Sequence, residues 1–199
     1  QLADGDDNKK NKDAIPSILS DALAVSFDNH VGHDYLEDYE ERYDLYHRKE
    51  ERIQFDLDFF NKITKGGVPN KTLNIALAGT GVGKSLFMCH VASSVLLQGK
   101  NVLYITLEMA EEKIAERIDA NLLNVNIQNI TELPKPMFDK KVDSIAKKTQ
   151  GTLIIKEYPT ASAHSGHFKS LLNELSLKKS FKPDIIFVDY LNICASSRY

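Results

Sequence analysis

The stretch that most constrains this chain is a glycine-rich segment, AGTGVGKS, at residues 78–85. It follows a short apolar run at 73–78 and opens a run of helical spacing at 84–98. A predicted strand, a tight loop and a predicted helix in that order are the context in which the pattern G-x-x-x-x-G-K-[ST] binds phosphate. Ala78 replaces the first glycine of the pattern. We therefore expect the N–H groups of the loop to surround phosphate oxygens at the positive end of the helix.

The residue types of this loop predict what each position contacts. Lys84 is expected to reach the β- and γ-phosphates of a nucleoside triphosphate, ATP or GTP, and the Ser85 hydroxyl to ligate Mg²⁺. The alternative is a glycine-rich turn that arises by chance, and the complete GKS ending disfavours it. The predicted nucleotide-binding residues are Gly79, Thr80, Gly81, Val82, Gly83, Lys84, Ser85 and Leu86.

Two carboxylates end other apolar runs. Asp189 ends the run DIIFVD, and Glu108 ends the run VLYITLE. A carboxylate at the position of Asp189 can hold Mg²⁺ directly or through water. Ligands of an open α/β sheet gather at the carboxyl ends of its strands, so both side chains should share a crevice with the loop. There Glu108 could orient and deprotonate a water molecule that attacks the γ-phosphate. Its chemistry fits a helix N-cap or a solvated loop acid equally well.

The remaining pattern from about residue 55 predicts an α/β fold, because short apolar strands alternate with helices. Such an order is typical of a parallel sheet that helices cover on both faces. The predicted strands are 73–78, 102–107, 152–156 and 185–189, and the predicted helices are 84–98, 110–123, 137–149 and 164–179.

The first 54 residues predict a helical linker before a domain at 55–199. Residues 1–13 are polar and expected to be disordered, and residues 14–29 have the apolar spacing of a helix. A second helical pattern at 34–52 carries a tyrosine stripe that we expect to pack on a neighbouring surface, with base stacking as the alternative. The stripe consists of Tyr35, Tyr39, Tyr43 and Tyr46.

Composition excludes few classes of function. The net charge of −3 gives no global sign of nucleic-acid binding, although a local basic groove would still permit it. The 2 cysteines lie far apart without metal-ligand spacing, which favours a reducing compartment. No apolar run approaches the roughly 18 residues of a membrane span, so we expect no membrane association.

Several longer stretches together resemble the DnaB-type replicative DNA helicases, and among them the T-even-type bacteriophage replicative helicases. LEM after the second strand and DYL at the end of the last strand are the most specific points of likeness. The stretches NKITKGG, RIDAN and SLLNEL add to the likeness with the phage proteins, and the resemblance runs from about residue 14 to the end.

The resemblance implies a RecA-like motor domain. Such domains form a hexameric ring around single-stranded DNA, hydrolyse nucleotide to move along it and unwind duplex DNA. It implies that Glu108 is the catalytic base and that 14–29 is a linker helix that docks on the adjacent subunit. Primase and a helicase loader become expected partners, and the bacterial host cytoplasm becomes the expected location.

The resemblance also implies what lies beyond this sequence. The family's γ-phosphate sensor, main DNA loops and arginine finger follow the position of Asp189. We therefore expect the chain to be the N-terminal half of a motor domain with its linker, inactive by itself. DNA-contacting residues stay unassigned. The segment 159–167, PTASAHSGH, could approach DNA or nucleotide, or be an ordinary connecting loop.

Three other classes of protein share parts of this pattern. A small-molecule kinase would need a lid rich in arginine, yet no arginine occurs between Asp119 and Lys182. A RecA-like ATPase that is not a helicase, such as a recombinase or its mediator, shares the loop and both carboxylates. A nucleotide-binding assembly module without catalysis would not need Glu108 and Asp189. Unwinding polarity and the choice between ATP and GTP stay open.

Overall fold

The computed structural model describes residues 32–196, so the predicted segments 1–13 and 14–29 lie outside the described residues. The chain divides into two compact units, 1–49 and 50–199. Each unit is described by itself below.

The described part of the first unit contains one helix, α1 (Tyr39–His47). It begins after a turn in which the Asp34 carboxylate accepts hydrogen bonds from the backbone of Leu36 and Glu37. The prediction of a helix over 34–52 is therefore correct in type and too long at both ends.

The tyrosine stripe does not pack on any surface in the described part of the chain. Its four side chains are 60–74% exposed. The Arg42 guanidinium lies 4.3 Å from the centre of the Tyr35 ring. Packing of the stripe on a neighbouring surface stays a prediction, because a stripe at helical spacing shows which face is apolar and not what covers it.

The second unit begins with three short elements that were not predicted from the sequence. A short antiparallel hairpin joins β1 (Arg52–Ile53) to β2 (Val68–Pro69), and α2 (Asp58–Ile63) lies between them. The Asn61 amide clamps the intervening loop, since it accepts from the Phe55 N–H at 2.8 Å and donates to the Phe55 carbonyl at 2.6 Å. Strands of two residues carry too few positions to show a periodic pattern.

The centre of the second unit is a parallel sheet in which β3 (Val102–Thr106) lies between β4 (Leu153–Glu157) and β5 (Ile185–Asp189). Val102 is opposite both Leu153 and Ile185, which sets the register of all three strands. Helices follow in the predicted alternation. The elements are α3 (Lys84–Leu97), β3 (Val102–Thr106), α4 (Glu111–Leu123), α5 (Lys135–Ala146), β4 (Leu153–Glu157), α6 (Ser165–Lys179) and β5 (Ile185–Asp189), with 3₁₀ turns at Ile127–Asn129 and Leu191–Ile193.

The central strand β3 explains why the sheet is covered on both faces. All five of its residues are buried, and alternate side chains enter two different hydrophobic clusters. Val102 and Tyr104 pack with residues of α3 and α4. Leu103 and Ile105 pack with residues of α6 on the other face. The predicted parallel α/β sheet is confirmed for these three strands.

The predicted strand at 73–78 is wrong in the structure. The segment is irregular, and its apolar side chains face solvent, with Leu73 86%, Ile75 74% and Leu77 95% exposed. A strand exists only where a neighbour takes up its backbone hydrogen bonds. Within residues 32–196, β4 and β5 occupy both edges of β3, and neither pairs with this segment on its outer side. The alternating apolar pattern was present, but its partner was not.

No helix in the described residues is long and apolar enough to cross a membrane.

Candidate nucleotide-binding site

The glycine-rich loop leads directly into the first turn of α3. Gly81 has φ 75° and Gly83 has φ 105°, the left-handed region that residues with a Cβ rarely adopt. A Cβ at either position would meet nothing within 4 Å, so the backbone angle and not crowding requires glycine here. The Phe87 N–H donates to the Gly83 carbonyl at 2.9 Å, which starts the helix. The other N–H groups of this first turn have no helical acceptor and can bind an anion.

Asp189 ends β5 as a buried carboxylate with one satisfied oxygen. It is 1% exposed, and its Oδ2 accepts a hydrogen bond from the Tyr104 hydroxyl at 2.9 Å. Burial, above all, raises the pKa of the Tyr104 phenol, which keeps the hydroxyl protonated as a donor. The Cys89 Sγ lies 3.8 Å from the same hydroxyl, and burial raises the pKa of that thiol as well. Asp189 Oδ1 is buried and has no partner in the described chain.

Lys84 joins the loop to the end of β5. Its Nζ lies 3.7 Å from the centre of the Tyr190 ring, the residue after Asp189. The contact is a cation–π interaction, in which the ring face attracts the ammonium group. The structure thus brings the lysine of the loop beside the strand end that carries the predicted metal ligand. In the sequence, DYL served only as a point of resemblance to a family. The contact between Tyr190 and Lys84 was not predicted.

Glu108 lies in a tight turn just after β3. The Leu107 N–H donates to the Asp189 carbonyl at 2.9 Å, so Glu108 is one residue beyond the last backbone bond between the two strands. Thr106 Oγ1 donates to the Met109 carbonyl at 2.8 Å and accepts from the Met109 N–H at 3.2 Å. These two bonds close the turn and leave the Glu108 side chain exposed at the carboxyl edge of the sheet.

The alternative that Glu108 caps the next helix is wrong. The N-cap of α4 is Ala110, and no side chain caps that helix end. Glu108 makes no ion pair or hydrogen bond within residues 32–196. The exposed position of Glu108 fits both a solvated loop acid and a carboxylate that contacts a bound ligand.

The segment that follows β4 completes this edge of the sheet. Thr160 Oγ1 donates to the Leu107 carbonyl at 2.8 Å, and the Ala161 N–H donates to the Ile193 carbonyl at 2.9 Å. It is therefore tied to the segments after β3 and β5. His164 is the N-cap of α6, so the predicted loop 159–167 runs into that helix. Contact of the segment 159–167 with DNA or nucleotide stays a prediction.

The predicted metal ligands suit Mg²⁺ on chemical grounds. Mg²⁺ prefers oxygen ligands and is commonly held by one or two carboxylates together with substrate phosphates. Asp189 offers a buried carboxylate oxygen that has no partner among residues 32–196, and Ser85 lies in the first turn of α3. The described residues contain no group of three or more His, Cys, Asp or Glu side chains that could hold a metal ion. A cation here would therefore depend on the phosphates as well as on Asp189.

The parallel sheet, the loop before α3 and the carboxylates at the strand ends define a RecA-like P-loop NTPase domain. Residues 53–199 match the family model of the DnaB-like helicase C-terminal domain. The chain belongs to this family of DnaB-like helicases, as the sequence resemblance predicted.

Three curated relatives are similar to the chain. The chain is 50% identical over 196 residues to a DnaB-like replicative helicase of Enterobacteria phage T4, covering 96% of this chain and 41% of that protein. It is 29% identical over 130 residues to a probable plasmid replicative DNA helicase of Chlamydia psittaci, covering 62% and 27%. It is 28% identical over 109 residues to the DNA repair protein RadA of Campylobacter jejuni, covering 55% and 24%. The chain thus spans less than half the length of each.

Two solved structures share the fold. One, described as a DnaB-like replicative helicase and its interactions with primase, aligns with a TM-score of 0.60 and 16% identity over 95% of this chain and 46% of that one. The other, described as an ATPase domain, aligns with a TM-score of 0.56 and 13% identity over 96% of this chain and 61% of that one. At these identities the likeness concerns the fold alone.

Proposed function

We propose that the protein to which this chain belongs is a replicative DNA helicase that hydrolyses ATP or GTP to translocate on single-stranded DNA and unwind duplex DNA. The observation that carries the proposal is the contact of Lys84 with Tyr190 beside Asp189. Lys84, which we expect to bind phosphate, thus lies against the residue that follows the buried Asp189, at the carboxyl edge of the sheet where ligands of such folds bind. Membership of the DnaB-like helicase family supports the DNA-unwinding part of the proposal.

The roles of the individual residues follow from their chemistry. The backbone of 79–86 and the Lys84 ammonium would hold the triphosphate, and Ser85 and Asp189 would hold Mg²⁺. When bound, the cation would neutralise charge on the β- and γ-phosphates. Glu108 would accept the proton of the attacking water, because its carboxylate is exposed at the same edge and has no partner in the part of the chain that the structure describes.

The partners and domain arrangement are also proposals. We infer a polar segment at 1–13, a helical linker at 14–54 and a motor domain that begins at 55. Residues 14–29 would dock on the next subunit of a homo-hexamer, and primase, a helicase loader and single-stranded DNA would be partners in the host cytoplasm. The T4 relative supports a role in phage replication, and the solved structure described with primase supports primase as a partner. Sedimentation tests the linker, since deletion of 14–29 should weaken the ring, and an unchanged hexamer would contradict it.

The decisive experiment compares two lysine variants of the full-length protein. Lys84→Ala removes the charge expected on the phosphates, whereas Lys178→Ala removes a lysine near the end of α6, which leads away from the carboxyl edge. Within residues 32–196, Lys178 forms an ion pair only with Glu174 on its own helix. We expect phosphate release, with and without single-stranded DNA, to be abolished in Lys84→Ala and to stay at the parent rate in Lys178→Ala. Parent-rate hydrolysis by Lys84→Ala would refute the nucleotide site.

A second candidate function is that of a RecA-like ATPase in DNA repair or recombination. The similarity to RadA of Campylobacter jejuni favours it. Unwinding of a forked duplex with a free single-stranded tail distinguishes the two, because the helicase should separate the strands whenever nucleotide is hydrolysed. DNA-stimulated hydrolysis without strand separation would favour the second candidate.

A further inference from the structure

Asp189 Oδ1 is the one buried side-chain polar atom in the described residues that has no hydrogen-bond partner. Leaving a charged oxygen buried and unpaired is costly, so such an atom points to a ligand that completes it. The other oxygen of the same carboxylate is held by the Tyr104 hydroxyl at 2.9 Å. The two oxygens of one carboxylate therefore have different environments.

The register of the sheet explains how Tyr104 reaches Asp189. Tyr104 is directly opposite Phe187, and the two rings stack with centroids 5.7 Å apart and an interplanar angle of 19°. Asp189 lies two residues beyond Phe187 on the same face of β5. The contact thus runs along the diagonal of two neighbouring strands, which an aromatic side chain is long enough to span.

Packing alone does not account for the hydroxyl. Phe187 packs in the same pair of stacked rings although its ring carries no hydroxyl. A buried hydroxyl is unfavourable unless it is hydrogen-bonded, and Tyr104 is fully buried. Its short bond is to Asp189, and the distance of 3.8 Å to the Cys89 Sγ makes that second contact weak. The hydroxyl therefore acts on the carboxylate.

We propose that Tyr104 is a positioning residue for the nucleotide-bound Mg²⁺, an inference that rests on the proposed function. By donating to Oδ2 it fixes the rotation of the Asp189 carboxylate and occupies that oxygen. Oδ1 alone is then available to the cation or to one of its water ligands. Mg²⁺ demands near-ideal octahedral geometry, so a carboxylate held in one orientation binds it better than a rotating one.

The test measures metal dependence rather than turnover. A fluorescent, non-hydrolysable ATP analogue is bound to the full-length protein, and Mg²⁺ is titrated to find its half-saturating concentration. Tyr104→Phe keeps the ring and removes only the hydroxyl. We expect it to raise that concentration about 10- to 100-fold, the usual effect of removing a partner of a metal ligand. Binding of the analogue in EDTA should stay within about twofold of the parent, because Lys84 and the loop are unchanged.

Two further variants separate the possible explanations. Cys89→Ala disturbs the same buried pocket but keeps the hydroxyl, so its Mg²⁺ dependence should match the parent. Asp189→Asn tests the metal ligand itself and should raise the half-saturating concentration at least as much as Tyr104→Phe does.

The outcomes distinguish this inference from the proposed function. If Asp189→Asn raises the Mg²⁺ requirement and Tyr104→Phe does not, the inference is wrong and the proposed site stands. If Asp189→Asn has no effect, the proposed metal site is wrong and the inference fails with it. An equal loss of binding in EDTA would mean that Tyr104→Phe damages the whole site, which overturns a role confined to the metal.

Thermal unfolding shows whether Tyr104→Phe folds. If it does not, a second substitution tests the same role. Introducing 4-aminophenylalanine at position 104 restores an N–H donor on the same ring. A half-saturating Mg²⁺ concentration within about threefold of the parent supports the role of the donor. A rise as large as that of Asp189→Asn refutes it.

Discussion

Replacing Thr106 with valine tests whether the turn that carries Glu108 is held as the structure shows. Thr106 is fully buried at the end of β3, and its hydroxyl both donates to the Met109 carbonyl and accepts from the Met109 N–H. Valine has nearly the same shape, so Thr106→Val deletes these two hydrogen bonds with little change in packing. Thr106→Ser is the matched control, since it keeps the hydroxyl and removes one methyl group.

The expected loss of stability follows from the two bonds. Each contributes a net of about 0.5–1.5 kcal/mol, so Thr106→Val should lower the free energy of unfolding by about 1–3 kcal/mol. For a domain of this size that corresponds to a fall in melting temperature of roughly 2–12 °C. Thr106→Ser should cost about 1 kcal/mol through the lost methyl group.

Activity should separate the two variants more clearly than stability. A misplacement of about 1 Å in a catalytic group can cost about a hundredfold in rate. Thr106→Val should therefore release phosphate about a hundredfold more slowly, while Thr106→Ser stays near the parent rate. Both variants of the full-length protein are assayed below their melting temperatures. Equal rates for valine and serine would refute the view that the Thr106 hydroxyl places Glu108.

Two further predictions concern Glu108 and the β1–β2 hairpin. Glu108→Gln should leave the free energy of unfolding within about 0.5 kcal/mol of the parent, because the side chain is exposed and has no partner among the described residues. It should nevertheless slow phosphate release at least roughly a hundredfold. Near-parent turnover would move the base elsewhere. Gly67→Ala should destabilise by at least about 2 kcal/mol in thermal unfolding, because Gly67 has φ 118° and its Cβ would lie 2.2 Å from the Ile53 carbonyl oxygen. Gly99→Ala, with φ 79° and open space, should cost less, and equal losses would contradict the steric argument.

The local features of the site were predictable from sequence because short-range rules govern them. Glycines at 81 and 83 were expected to shape the loop, and both have positive φ. Asp189 ends a strand and Glu108 follows one, as the apolar runs before them predicted. The carboxyl ends of parallel strands share one edge of the sheet, so these residues could be predicted to lie at the same edge without knowing the register of the strands.

The wrong strand prediction, and the prediction about the tyrosine stripe that stays untested, both concern patterns that need a partner to become structure. Residues 73–78 alternate like a strand, and the tyrosines of α1 follow helical spacing, yet both groups are exposed in the described residues. Periodicity shows which side chains are apolar on one face, but what covers that face comes from elsewhere in sequence or from another molecule. The β1–β2 hairpin was missed for the opposite reason, since two-residue strands have no period to detect.

By itself the sequence determined that a glycine-rich loop leads into a helix and that carboxylates come at the ends of two buried strands, and from this it predicted a nucleotide site. Only the tertiary structure decided which side chains support those groups. Tyr104 reaches Asp189 across 85 residues of chain, and Lys84 rests on Tyr190. Contacts of this kind depend on strand order and register, which the packing of the whole sheet sets, so no local pattern around either residue could specify them.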